Sequence, residues 1–279
     1  MTNNKILIYI PTFEEAQNIL RLIKEIRNYV KNLDILIIND KSQDNTYELI
    51  KKLNDKNLKL IERPKKNGLG TAQVMSILYS IKHNYDVLVT MDADFSHDPC
   101  YLPQIIKNAG KNNFVIGSRF IKGGKSDYKG TRKLLSVIAN FTAQKLLKIK
   151  ISEFTTSYRA YDVNLLKKIP FNYLKSKDYS LFVTLVWLMS KLNANLIEVP
   201  IHFKDRNKGK SKIPKFQIFV SAFDLFVLKF KDIFWKKYFN KNIETFKYNI
   251  ECKKCKNEFH ILIEKNKFKC LSCNNKIIL

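Results

Sequence analysis

Regular alternation of short apolar runs with amphipathic stretches over residues 5–117 constrains this chain more than any other feature. Strand-like runs fall at 5–10, 34–39, 58–62, 87–91 and 113–117. Between them, 15–30, 45–53, 71–82 and 101–110 carry apolar residues at helical spacing, with Asp44 placed to cap the second. Such alternation implies an α/β fold of βαβ units around a mostly parallel, Rossmann-like sheet. Sheets of this kind bind ligands beyond the carboxyl ends of their strands, so the residues just after each strand are the functional candidates.

Those residues are consistently polar. The first strand runs into Pro11, Thr12, Phe13, Glu14 and Glu15, and the second into Asn39, Asp40, Lys41 and Ser42. The fourth runs into Asp92, Ala93 and Asp94, and the fifth into Gly117, Ser118 and Arg119. One strand-end aspartate is often only a turn former. Four successive strand ends place carboxylates and an arginine along one edge. Asp92 and Asp94, at i and i+2, offer hard oxygen ligands to Mg²⁺ or Mn²⁺, ions that keep positions for water and phosphate oxygens. A cation held in this way neutralises a departing diphosphate.

Charge bears on the partner. The chain has 50 Lys and Arg against 25 Asp and Glu, a formal net charge of +25. That field favours polyanions or an anionic membrane surface. The amino terminus enters its first strand without a signal-like apolar segment, so a cytoplasmic protein is expected. The longest apolar stretch, 216–230, is interrupted by Asp224 and Lys229 and is not a spanning segment. Residues 216–239 instead mix Phe, Leu, Ile, Val and Trp235 with Lys215, Lys229, Lys231, Lys236 and Lys237 around them, the pattern of an interfacial helix. The alternative is a helix packed on the catalytic domain or on a membrane-anchoring partner.

Seven ordered blocks, IYIPTFEEAQNI, IINDKSQDNT, ERPKKNGLGTA, MDADFSHDP, GSRFIKGG, TTSYRAY and VPIHFKDRNKGKSKI, give the chain from residue 5 to about 212 its family likeness. In this region it resembles the dolichyl-phosphate mannosyltransferase and polyprenol-phosphate hexose synthase group of family-2 glycosyltransferases with the GT-A fold. The resemblance implies a nucleoside pocket at Pro11, Phe13, Glu15, Ile38 and Asp40. It implies a metal and diphosphate site at Asp92, Ala93, Asp94 and Ser96, with Asp94, Asp92 and Arg119 catalytic. Arg119, Arg206 and Lys212 take the place of the cations around the phosphates, and Arg119, Arg132 and Ser136 that of the residues receiving the lipid phosphate. Gly68 and Gly70 precede or open a helix whose free N–H groups suit an anion. The implied donor is a nucleotide sugar, GDP-mannose favoured, and the implied acceptor polyprenyl or dolichyl phosphate.

The chain departs from the group's pattern at Asn39, at Ser157 and Tyr158, and at Phe182 and Thr184, where the group often carries Gln and Glu. Loss of a carboxylate near the acceptor would remove a general base from an enzyme that activates a sugar hydroxyl. A phosphomonoester, with its second pKa near ~6, is already anionic and needs none. Transfer to a glycan hydroxyl and an inactive scaffold remain the rival readings.

Cys252, Cys255, Cys270 and Cys273 form two C-x-x-C knuckles fourteen residues apart, the spacing of a structural zinc ribbon. A tail of roughly thirty residues needs such a staple to fold. Cys100 is expected to be a buried or semi-buried bystander. The resulting division is a catalytic domain at 1–212, an amphipathic segment at 213–246 and a zinc ribbon at 247–279. High charge and a ribbon also raise a nucleic-acid-binding reading, but no basic reader element stands out and the strand-end carboxylates would repel phosphate, so none is expected.

Overall fold

The computed structural model describes residues 4–174, 180–205, 224–233, 261–264 and 267–270. Strands β1 (Ile6–Thr12), β2 (Asp34–Asn39), β3 (Leu58–Glu62) and β4 (Val87–Thr90) alternate with helices α1 (Ile19–Tyr29), α2 (Thr46–Lys51) and α3 (Leu69–Lys82). After α4 (Leu102–Asn108) come β5 (Asn113–Ser118), the short β6 (Lys125–Ser126) and the long α5 (Gly130–Leu147). Next are β7 (Arg159–Asp162), α6 (Val163–Leu166), α7 (Ser180–Lys191), β8 (Asn195–Pro200) and β9 (His202–Phe203). A last helix, α8, spans 224–233, and β10 (Ile261–Glu264) pairs antiparallel with β11 (Lys267–Cys270).

The central sheet has seven strands in the order β3-β2-β1-β4-β7-β5-β8. All neighbours are parallel except β7, which runs antiparallel between β4 and β5. The sequence expectation of a mostly parallel sheet is met, and β7 and β8 are the strands it did not contain. Alternation along β1 explains the layering: Leu7 and Tyr9 join one core, Ile8 and Ile10 the other. Leu36 and Ile38 against Ile35 and Ile37 on β2 repeat the division. Both faces are covered, which is why these strands read as unbroken apolar runs. Helix α1 buries Ile19, Leu22, Ile23 and Ile26, a stripe at i, i+3, i+4 and i+7, on one face. Helix α3 lies on the other and is buried around most of its circumference.

Expected boundaries move by a few residues at element ends. Asp44 does secure the start of α2, its Oδ1 accepting from Thr46 N at 3.0 Å. Cys100 is exposed, not buried, because it sits in the short 3-10 turn before α4. Within the segment expected to be interfacial, α8 places Leu225 and Leu228 in the core. Its Asp232 accepts from Trp187 Nε1 at 2.7 Å and pairs with Lys191. Packing on the catalytic domain therefore holds for one face of α8, while Phe226, Phe230 and Ile233 on the other are over 60% exposed. No described helix is long and apolar enough to cross a membrane.

Candidate active site

β1 stands where the strand order turns, flanked by β2 on one side and β4 on the other. The loops that follow these strands therefore open at one sheet edge. Glu14, Lys41 and Phe95, on three of these loops, hold φ angles of 56°, 54° and 62°. Left-handed non-glycine backbone costs about 1–3 kcal/mol per residue and concentrates at functional sites.

Ile38 is buried in β2, while Pro11 and Phe13 are half-buried at the end of β1. Lys66 Nζ lies 3.6 Å from the Phe13 ring centroid, closing one side of the expected nucleoside pocket. Glu15 accepts from Asn18 Nδ2 at 2.9 Å, and its own N–H donates to Thr46 Oγ1. Asp40 already has partners within the protein. Its carboxylate pairs with the fully buried Arg63 at 2.5 Å and accepts from the N–H groups of Asn67 and Gly68. Gly68, at φ 86°, is the N-cap of α3, so the anion at this helix start is Asp40 itself. The expected free anion site at Gly68 and Gly70 is filled from within, and Asp40 shapes the pocket by fixing the 63–68 loop.

The chain leaves β4 into the Asp92 to Asp98 loop. Ser157 Oγ donates to Asp92 Oδ1 at 2.6 Å, and Asp94 Oδ1 accepts from Ser96 N and Oγ at 3.1 and 2.6 Å. Ser96, expected as a ligand, thus orients Asp94 with its hydroxyl. Ala93, between the aspartates, is buried and turns no polar group into the site. Asp92 N–H donates to His97 Nδ1 at 2.9 Å, so that nitrogen carries no proton, while Nε2 faces Thr156 Oγ1 at 3.2 Å. Burial lowers the imidazole pKa below its ordinary value against the pull of Asp92 and Asp94. His97 is neutral at pH 7, and the 3.7 Å approach of its Nδ1 to Asp92 Oδ2 is not an ion pair. Among the described residues no three His, Cys, Asp or Glu side chains form a closed metal cage. Two carboxylates on one partly open loop fit a hard cation whose remaining ligands come from water and a diphosphate.

On the far side of this loop Arg119 is clamped. Its Nε and Nη2 donate to Glu153 Oε2 and Oε1 at 2.7 and 2.9 Å, and Nη2 also to Thr155 Oγ1 at 2.8 Å. Burial alone would raise the Glu153 pKa. The Arg119 charge and the hydrogen bonds from Arg119 and Thr155 outweigh it and hold the carboxyl below its ordinary range. Arg119 also lies over the Phe203 ring at 5.0 Å, and Arg132 over Tyr128 at 4.3 Å. Arg132 pairs loosely with Asp205 at 3.5 Å, both being exposed. Ser136 is half-buried one turn further along α5. Lys204 binds Asp98 at 2.7 Å, which ties the described 201–205 segment to the Asp92 to Asp98 loop. Arg206, Lys212, Cys252, Cys255 and Cys273 lie outside the described residues; Cys270 ends β11, leaving the hairpin between the two knuckles.

Residues 7–170 match the family model described as Glycosyl transferase family 2. The chain belongs to that family. Among the relatives of this family 2 glycosyltransferase is an undecaprenyl-phosphate mannosyltransferase of Micrococcus luteus, 32% identical over 212 residues, covering 75% of this chain and 87% of the relative. A polyprenol monophosphomannose synthase of Mycolicibacterium smegmatis is 33% identical over 213 residues, covering 74% and 80%. In fold, the transferase is similar to glucosyl-3-phosphoglycerate synthase of Mycobacterium tuberculosis, crystallised with Mn²⁺, UDP and glucosyl-3-phosphoglycerate. That match has a TM-score of 0.57 and 18% identity, and covers 82% of this chain and 80% of the other. The GT-A architecture expected from the sequence is thereby met.

Sequence reasoning missed Glu153, His97, Ser157 and Asn140. The signal for Glu153 was a lone acid amid Ile149, Ile151 and Phe154. His97 stood inside a quoted block without a role. Phe182 and Thr184, the departures from the group's pattern, both find partners inside the fold. Phe182 is buried in α7, where its carbonyl accepts from Arg159 Nη1 at 2.8 Å and its ring lies 5.2 Å from that guanidinium. Arg159 makes no ion pair among the described residues, and the rings of Phe114 and Phe182 shelter its charge. Thr184 donates back to Ser180 O within the helix.

Proposed function

We propose that this chain transfers a hexose, mannose favoured, from a nucleotide-diphosphate sugar to a polyprenyl or dolichyl phosphate at the cytoplasmic face of a membrane. One observation carries the reading. The carboxylate loop of Asp92 and Asp94 and the cationic end of α5 are joined by one buried polar segment, 153–158, and α5 turns an apolar stripe outward. Leu134 and Phe141 on that stripe are 60% and 58% exposed, and Ile138 lies between them. At 3.6 residues per turn, Arg132, Ser136, Asn140, Ala143 and Leu147 line the opposite side, of which the last three are buried. A helix that faces its apolar stripe away from its own protein has another apolar phase to meet. Phe226, Phe230 and Ile233 of α8 add a second such stripe, and the +25 charge favours anionic lipid. The similar mannosyltransferases, named for polyprenyl-phosphate chemistry, support the same acceptor class.

Asp92 and Asp94 would hold Mg²⁺ or Mn²⁺, which supplies Lewis acidity toward the departing nucleoside diphosphate. Ser157 and Ser96 fix these two carboxylates, and neutral His97 the Asp92 backbone, before substrate arrives. Arg119 and Arg132 orient the acceptor phosphate, an oxygen of which attacks the anomeric carbon while the bond to the diphosphate breaks on the opposite side. Inversion follows from that in-line geometry. No side chain has to remove a proton, because the acceptor is ionised at neutral pH. Orientation and preorganised charge supply the acceleration. GDP is the favoured nucleotide carrier, and Arg206 with Lys212 would close over its phosphates. In the tail, Cys252, Cys255, Cys270 and Cys273 would bind one structural Zn²⁺.

Incubation of purified protein and Mn²⁺ with a panel of nucleotide sugars and polyprenyl phosphate, followed by mass analysis of the lipid, tests the reading. A hexosyl-phosphoryl lipid is expected, with loss of product in excess chelator. Transfer to a free sugar hydroxyl and never to the lipid would overturn the acceptor. Metal analysis of reduced protein tests the ribbon separately, with about one zinc per chain expected.

A further inference from the structure

Asn140 is 3% exposed and lies two turns beyond Arg132 on the same side of α5, at the point where that helix meets the domain. Its Oδ1 accepts from Phe154 N at 2.6 Å, and its Nδ2 donates to Ser136 O at 2.8 Å and, more weakly, to Thr155 Oγ1 at 3.4 Å. Thr155 Oγ1 has a single hydrogen, which it gives to Glu153 Oε1 at 2.9 Å. Both of its acceptor positions are then taken, one by Arg119 Nη2 and the other by Asn140 Nδ2. Glu153 gathers the remaining donors, accepting from Arg119 twice and from the N–H groups of Thr155 and Thr156 at 3.0 and 3.1 Å.

We propose that Asn140, Thr155 and Glu153 form a positioning clamp that holds the acceptor helix in register with Arg119, so that Arg132, Ser136 and Arg119 meet one phosphate as a fixed set. The proposal rests on the acceptor reading above. Its physical basis is that α5 has few other fastenings: of its eighteen residues only Asn140, Ala143 and Leu147 are buried, and one further bond, from Gln144 Nε2 to Ile151 O at 2.8 Å, ties down its far end. Apolar contacts at Ala143 and Leu147 resist separation but tolerate sliding and rotation. The bonds that Asn140 accepts from Phe154 N and donates to Thr155 Oγ1 are directional and fix the rotation of the helix against the 154–155 segment, while its bond to Ser136 O stays within α5 and holds the side chain. Among the described residues Arg119 makes no hydrogen bond through Nη1, so a clamped guanidinium still has one edge for a ligand. None of the three clamp residues touches the phosphate. They act through Arg119 and the helix, and fully satisfied buried networks of this kind hold a single geometry.

The test uses the full chain with Mn²⁺ and compares Thr155→Val, which keeps shape and loses the hydroxyl, with Thr155→Ser, which keeps the hydroxyl. Affinity for a fluorescent polyprenyl phosphate and steady-state kinetics are measured on both, with nucleotide affinity determined separately. Thr155→Val should weaken lipid-phosphate affinity and acceptor kcat/KM by about tenfold, leave nucleotide affinity within about twofold, and be rescued by Thr155→Ser. Asn140→Leu combined with Thr155→Val should lose less than the product of the single losses, since both break one linkage. Unchanged acceptor affinity in Thr155→Val, an equal loss of nucleotide affinity, or failure of Thr155→Ser to restore function would overturn the clamp. If wild-type protein binds the lipid phosphate without glycosylating it, the transferase reading fails alone, and the ratio of affinities still decides the clamp. If it binds no lipid phosphate, both fail.

Discussion

The two halves of the site are built on opposite plans. Around Asp92 and Asp94, the loop is fastened by neighbours on the same sheet edge: Ser157 on the Asp92 carboxylate, Ser96 on that of Asp94, and His97 on the Asp92 backbone N–H. Around Arg132 and Ser136, an eighteen-residue helix leaves most of its surface outside the protein, the apolar stripe included. The first half is complete before a small polar ligand arrives. In the proposed function, the second is completed by a lipid phase that the protein does not supply. Rigid carboxylates suit a step whose acceleration comes from preorganised charge. An outward apolar helix suits an acceptor whose tail never leaves the membrane.

The sharpest way to test the plan of the first half is Asp94→Asn, which keeps the shape and removes the charge. Turnover should fall by about 10²–10³-fold with circular dichroism unchanged, and undiminished transfer in saturating donor would take Asp94 out of the mechanism.

Next in size is the junction between the halves. Glu153→Gln leaves Arg119 a buried charge without its partner, and loss of one member of such a pair costs about 3–5 kcal/mol at neutral pH. The sign of the pH dependence follows from the depressed pKa of Glu153. Its contribution is whole above the unfolded value near ~4.3 and is lost as pH falls through the lower folded value. Denaturant unfolding should therefore separate wild type from Glu153→Gln at pH 7 and bring them together in acid. A gap independent of pH would assign the effect to packing.

The second half is tested by Leu134→Ser with Phe141→Ser, two exposed positions on the outward stripe. Partition onto anionic vesicles should drop by about tenfold while the melting temperature stays within a few degrees, since neither side chain supports the fold. Equal partition by the variant would leave the stripe without its proposed role. The smallest effect is expected from Thr184→Glu, which restores the acid common in similar enzymes. No gain in turnover should follow, because Thr184 sits within α7 and a phosphate acceptor requires no base. A large gain would point to a hydroxyl acceptor.

Much of the strand-end half of the candidate site was legible because strand alternation and strand-end polarity are local properties. Asp92, Asp94 and Asp40 were found by their place after apolar runs. Their partners were not. Arg63 lies 23 positions from Asp40, Ser157 65 from Asp92 and Glu153 34 from Arg119, and no periodicity links residues that distant in the chain. The anion proposed for Gly68 had the correct physics and the wrong source, since a helix start attracts negative charge without regard to whether a ligand or Asp40 brings it.

By itself the sequence determined the parallel α/β order, the edge on which the site opens, and the pair of carboxylates, because each follows from short-range pattern under the rules of strand connection. The tertiary structure alone decided that Arg119 is held by Glu153, that Phe182 packs against Arg159, and that α5 faces outward. Those outcomes depend on which surfaces are buried against which. Helical spacing marks an apolar stripe, but only packing decides whether that stripe turns toward the core or away from it.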